Sequence, residues 1–150
     1  MEGKGKGESE RSHNRLWAAG PPSRGPRGDE DGPGRGGGPG GGGRVVLVHG
    51  FTQTLASWGA VGGRLARRWE VVRVDLPGHG GSGGIQVGFE EAAGLVGEAG
   101  GRAAYVGYSL GGRLCLRLAL DRPDLVPALV LIGASPGIAD PGGRAERRAA

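Results

Sequence analysis

Several things are scarce in this sequence, and each scarcity excludes something. Of its 150 residues only Cys115 is a cysteine, so no internal disulfide can form; its place on an apolar helical stripe makes it a core residue rather than a nucleophile. Aromatic residues are 5% of the chain, too few and too scattered to stack nucleobases. No apolar run is long enough to cross a membrane, and Leu16 and Trp17 stand without the apolar neighbours of a signal peptide. No histidine, cysteine and carboxylate cluster has metal-ligand spacing. A cytoplasmic protein is expected, with no metal, cofactor, nucleic acid or membrane as partner, and with its oligomeric state open. Histidine is scarce too: His13, His49 and His79 are the only three.

Glycine, by contrast, is abundant, at 36 residues, and it is concentrated at the front. Residues 1–43 are nearly devoid of aliphatic side chains, and their acidic residues nearly balance the basic ones. Such a stretch cannot bury enough surface to order itself, so 1–43 is expected to be a disordered Gly/Pro/Arg-rich tail. The net charge of +4 comes from scattered residues, not from a stripe. The folded part is expected to begin near Arg44.

From there apolar stretches alternate with helical periodicities. Strands are expected at 44–50 (RVVLVHG), 70–80, 103–107 and 126–135, and helices at 57–69, 89–100 and 110–121, with another opening at 140–150. Ser57 is the expected N-cap of the first helix, and Pro123 closes the third. Continuous apolar strands alternating with helices imply a mostly parallel α/β sheet with right-handed crossovers. Ligands in such sheets bind beyond the carboxyl ends of the strands. His49-Gly50, Asp75 to Gly80, Ser109 and Gly133 to Ser135 all fall at those ends.

At one of those ends stands GYSLGG, residues 107–112. Gly107-Tyr108-Ser109-Leu110-Gly111 fits G-x-S-x-G, which presents a serine on a sharp strand-to-helix turn. The flanking glycines let strand and helix approach closely, and the helix N-terminus favours developing negative charge. Four residues on, Arg113 lies on the same helix face as Ser109. A cation there is disfavoured by roughly 0.3–1 kcal/mol, which an anion in the pocket would offset. An arginine can hold a carboxylate through two parallel bonds, so a small carboxylate-bearing substrate is expected.

VLVHGFTQTLASW, VDLPGHGGS, YVGYSLGGRLCLRLAL and LVLIGASPGIADPGGRAERRA together resemble the α/β-hydrolase superfamily. Within it they are most similar to the menaquinone-pathway 2-succinyl-6-hydroxy-2,4-cyclohexadiene-1-carboxylate synthases. The resemblance covers residues 44–150. It implies the N-terminal part of an α/β-hydrolase fold, a mostly parallel sheet with flanking helices, ending before the C-terminal strands, with a lid beginning at about 136–150. It implies elimination of pyruvate from 2-succinyl-5-enolpyruvyl-6-hydroxy-3-cyclohexene-1-carboxylate, with Ser109 serving proton abstraction. It further implies an oxyanion hole from the backbone N–H groups of Phe51 and Leu110, and substrate contacts from Tyr108, Arg113 and Arg147.

A serine hydroxyl needs a histidine to take its proton and an acid to orient that histidine. In this family the order is serine, acid, histidine. No histidine follows Ser109, and the family uses positions such as His49 and His79 structurally. The chain is therefore expected to be the N-terminal part of an enzyme and inactive alone. The alternatives are a serine ester or amide hydrolase of the same fold and a non-enzymatic remnant. Gly78 to Gly83 formally match G-x-G-x-x-G, but no apolar helix opens there, and GGPGGGG lacks the G-K-[ST] of a phosphate loop.

Overall fold

The computed structural model describes residues 16–20, 43–137, 140, 142, 145, 146 and 149. Its strands are β1 (Ala18–Ala19), β2 (Arg44–Val48), β3 (Glu70–Val74), β4 (Ala104–Tyr108) and β5 (Ala128–Ile132). The helices are α1 (Gly59–Leu65), α2 (Phe89–Gly100) and α3 (Leu110–Asp121), with short 3₁₀ turns at Leu55–Trp58 and Gly80–Ser82. The sheet order is β1-β3-β2-β4-β5. β2, β3, β4 and β5 run parallel, and only β1 pairs antiparallel. This is the expected mostly parallel α/β sheet.

Alternation along the strands divides the apolar side chains between two faces. Val46, Val48, Val72, Val74 and Tyr105 meet α2 and α3 through Ala93, Val96, Leu114, Cys115 and Leu118. Val45 and Leu47 face the other way, toward Trp58 and Leu65. Burial pushes the Cys115 thiol up to about 12, so it holds no thiolate at neutral pH and serves as core. The Tyr105 hydroxyl, drawn into the same core, donates to the Gly101 carbonyl at 2.7 Å. At the sheet edge β5 pairs only with β4 among the described residues, and it leaves Val130, Leu131 and Ile132 exposed.

α2 and α3 fall where their periodicity and their flanking glycine and proline put them. The first helix does not. Thr54, not Ser57, caps the 3₁₀ turn, its hydroxyl accepting from Ala56 N–H at 3.4 Å, and α1 then runs only to Leu65. Three glycines among its seven residues explain the short length. β3 stops at Val74 because Pro77 and the turn at Gly78–Gly80 follow it. The expected helix at 140–150 is helical at 142, 145, 146 and 149, its remaining positions lying mostly outside the described residues.

The expectation of an unstructured stretch from 1 to 43 does not hold for residues 16–20. Ala18 and Ala19 pair with Val74 and Arg73, and Leu16 is buried in the α2–α3 side of the core. The Trp17 carbonyl accepts from Asp75 N–H, and Trp17 N–H donates to Ser82 Oγ, both at 2.8 Å. β3 would otherwise present an unpaired edge, which this segment closes. Leu16→Ala is accordingly expected to lower stability by about 2–3 kcal/mol. Urea unfolding at constant slope reads this as a lower midpoint; an unchanged midpoint would show that the segment contributes nothing.

Candidate active site

β4 delivers the chain into Ser109 and α3 carries it away, and the turn between them is strained. Ser109 has φ 50° and ψ −112°, a left-handed conformation that a non-glycine residue holds at a cost of about 1–3 kcal/mol. Close approach explains its glycines. A Cβ at Gly107 would strike the Gly111–Gly112 backbone, and one at Gly111 would strike the carbonyls of Val48 and His49. Although Ser109 occupies the N-cap position, its side chain makes no capping bond. The backbone is held instead, by Ser109 N–H to the Ile132 carbonyl at 2.9 Å and Arg113 N–H to the Ser109 carbonyl at 3.1 Å. A simple cap would use its hydroxyl on the helix; this hydroxyl is left for other partners.

Ser109 opens onto a cleft of about 350 Å³ lined by Phe51, Leu110, Arg113, Gly133, Ala134 and Ser135. The ends of β2, β4 and β5 thus meet around one serine, whereas the Asp75 to Gly80 turn after β3, also at a strand end, does not line the cleft. Leu110 is the first helical residue, so its N–H has no intrahelical acceptor. Among the described residues neither this N–H nor that of Phe51 donates to any acceptor. The residue expected to complete the substrate contacts, Tyr108, does not line this cleft: its ring lies against Gly50 and Gly133. Arg147 lies outside the described residues.

The loop that carries Phe51 is fixed by the buried Asp75 and by the half-buried Gln53 and His79. Asp75, almost wholly buried, accepts from Leu55 N–H at 2.7 Å through Oδ1 and from Gly81 N–H at 2.8 Å through Oδ2. Gln53 closes the turn by accepting from Gly50 N–H at 2.9 Å. His79 Nε2 accepts from Thr52 N–H at 3.3 Å, and the ring stands edge-on to both Phe51 and His49. A β-strand followed at once by D-x-P-G-H-G was the available signal for this brace.

His49 is fully buried, with Nδ1 donating to the Gly50 carbonyl at 2.8 Å and Nε2 accepting from Leu76 N–H at 3.1 Å. Both nitrogens serve the backbone, which selects the neutral tautomer. Desolvation by burial lowers its pKa, the Gly50 bond and Asp75 opposing and the neighbouring His79 adding to the fall. His79 likewise has both nitrogens engaged, its Nδ1 bonding the Pro77 carbonyl at 2.9 Å. Neither histidine is available to take a proton from Ser109.

A strained serine on a strand-to-helix turn, at the carboxyl end of a parallel sheet, defines a class. The chain belongs to the α/β-hydrolase family: a profile described as alpha/beta hydrolase fold matches residues 43–147. It is 38% identical over 112 residues to 2-succinyl-6-hydroxy-2,4-cyclohexadiene-1-carboxylate synthase of Escherichia coli O1:K1 / APEC, covering 69% of this chain and 43% of that protein. It is 34% identical over 94 residues to pimeloyl-[acyl-carrier protein] methyl ester esterase of Nitrosomonas europaea, covering 61% of this chain and 37% of that one. Among solved structures it is similar to an N-acyl homoserine lactone degrading enzyme, with TM-score 0.57 and 26% identity over 71% of this chain and 45% of that one. The chain thus spans less than half the length of these curated relatives. No helix among the described residues is long and apolar enough to cross a membrane.

Proposed function

We propose that these residues supply the serine and the anion-binding half of a carbon–oxygen lyase of the α/β-hydrolase fold, acting in the cytoplasm. It would eliminate pyruvate from 2-succinyl-5-enolpyruvyl-6-hydroxy-3-cyclohexene-1-carboxylate. In this reaction a ring C–H proton leaves and its electron pair forms the new C=C bond, while the ring C–O bond breaks and expels the enolate of pyruvate, whose methylene carbon then takes up one proton to give pyruvate. Ser109 Oγ takes the proton once a histidine has taken its own. The N–H groups of Phe51 and Leu110 stabilise the negative charge that develops, a term of a few kcal/mol per donor in comparable sites. The reading requires a histidine and an orienting acid from outside residues 1–150. A lid over 136–150, with Arg147 reaching the substrate, belongs to the same proposal.

One observation carries it: Arg113, a cation without a carboxylate partner among the described residues, lines the same cleft as Ser109. A substrate with several carboxylates would pair with this cation, and a neutral ester would not. In the enzyme with its triad complete, Arg113→Ala is expected to lower kcat/KM for pyruvate release about tenfold to a hundredfold. That is the worth of one charge-assisted bond of roughly 1.5–3 kcal/mol. Arg113→Lys should recover only part, because an ammonium cannot make the two-pronged bond. Steady-state pyruvate release measures this, and an unaltered kcat/KM in Arg113→Ala would remove the carboxylate role.

The rival reading is an acyl-serine ester hydrolase. The identity of 34% to an esterase over the same half of the fold favours it, since elbow and oxyanion donors serve both chemistries.

A further inference from the structure

Arg113 is exposed on α3, yet it is not free to wander. Its guanidinium carbon lies 5.6 Å from the centre of the Phe89 ring. Phe89 is the first residue of α2 and packs on the main core, so its ring is a fixed platform. One turn further along α3, Arg117 meets the same end of α2 differently. Its Nε donates to Asp121 Oδ2 at 2.7 Å, and its guanidinium lies 3.9 Å from Glu90 Oε1. Two arginines therefore face α2, one held by carboxylates and the other by an aromatic face.

We propose that Phe89 is a positioning residue: its ring holds the Arg113 guanidinium beside Ser109 and leaves the N–H donors open for a substrate carboxylate. The inference rests on the carboxylate-binding reading of the cleft. The physical distinction lies in what each partner consumes. An aromatic face attracts a cation through its quadrupole and engages the face of the guanidinium, while its five N–H donors point outward in the plane. A carboxylate at position 89 would hold the arginine at least as firmly, but it would occupy the donors and compete with the substrate. Ordering the long side chain beforehand also removes part of the rotamer entropy that binding would otherwise cost.

The test uses the 150-residue chain and succinate as a small dicarboxylate probe, titrated while the Arg113 side-chain resonances are followed by NMR. In the wild type the Arg113 Hδ protons should lie upfield of those of the other arginines, under the ring current of Phe89. Phe89→Leu should abolish that shift and weaken succinate binding about two- to fivefold. Phe89→Tyr, which keeps the ring, should restore both. In an Arg113→Ala background Phe89→Leu should change nothing further. The proposal is overturned if Phe89→Leu keeps the wild-type shift and affinity, or if its loss of affinity persists without Arg113, since the role would then be structural. Wild-type protein that shows the shift but no saturable succinate binding would count against the carboxylate reading of the cleft, and for placement of Arg113 by Phe89.

Discussion

Ser109→Ala in the enzyme with its triad complete is expected to lower pyruvate release by roughly 10³-fold or more while leaving thermal stability almost unchanged. The two halves of this expectation come from one geometric fact. The Ser109 hydroxyl makes no capping bond to α3, so removing it strips nothing from the folded state. Alanine meets the same backbone strain at φ 50° that serine does. A change in stability within about 0.5 kcal/mol is therefore expected. Were Ser109 an ordinary N-cap, the same substitution would cost about 0.5–2 kcal/mol and spare the chemistry. Melting curves beside turnover separate the two roles, and a destabilised but active variant would overturn the assignment.

The second large effect concerns the chain by itself. Residues 1–150 in isolation are expected to show no pyruvate release and no ester turnover above background. His49 and His79 each have both ring nitrogens bonded to, or accepting from, backbone groups. Releasing either would break the brace that holds the Phe51 loop. Ser109 then lacks any proton acceptor within the described residues. Oxyanion donors and binding without a working triad give only about 10³–10⁴ over the uncatalysed rate in well-studied cases. Assay at high protein concentration against an Arg113→Ala and a Ser109→Ala control measures this, and turnover that depends on Ser109 would show that another group in these residues serves as base.

The legible parts of this molecule are those where a periodic pattern and its punctuation coincide. α2 and α3 carry apolar stripes bounded by Gly88, Gly101 and Ser109, and each occupies the stretch that its pattern marks. The elbow is legible because only small residues tolerate the contacts at Gly107 and Gly111. β1 was not legible. Leu16, Trp17, Ala18 and Ala19 are too few for either period to register, and they acquire meaning only because β3 offers an edge. The first helix is shorter than the expected 57–69 because three glycines among its seven residues weaken it. Asp75 is legible only in part: D-x-P-G-H-G after a strand marks its turn, but its backbone N–H partners come from separate loops. Phe89 is not legible, because a contact between two helices leaves no spacing in the sequence. Tyr108 stands apart: the resemblance implies a substrate contact, and among the described residues its ring lies against Gly50 and Gly133, outside the cleft lining.

The most direct measurement of the central claim is a side-by-side assay of the complete enzyme on the tricarboxylated cyclohexene substrate and on a panel of simple aryl esters. Pyruvate should appear from the first, dependent on Ser109, and the esters should remain uncleaved. Cleavage of the esters without pyruvate release would contradict the account and make Ser109 an acylated nucleophile in a hydrolase.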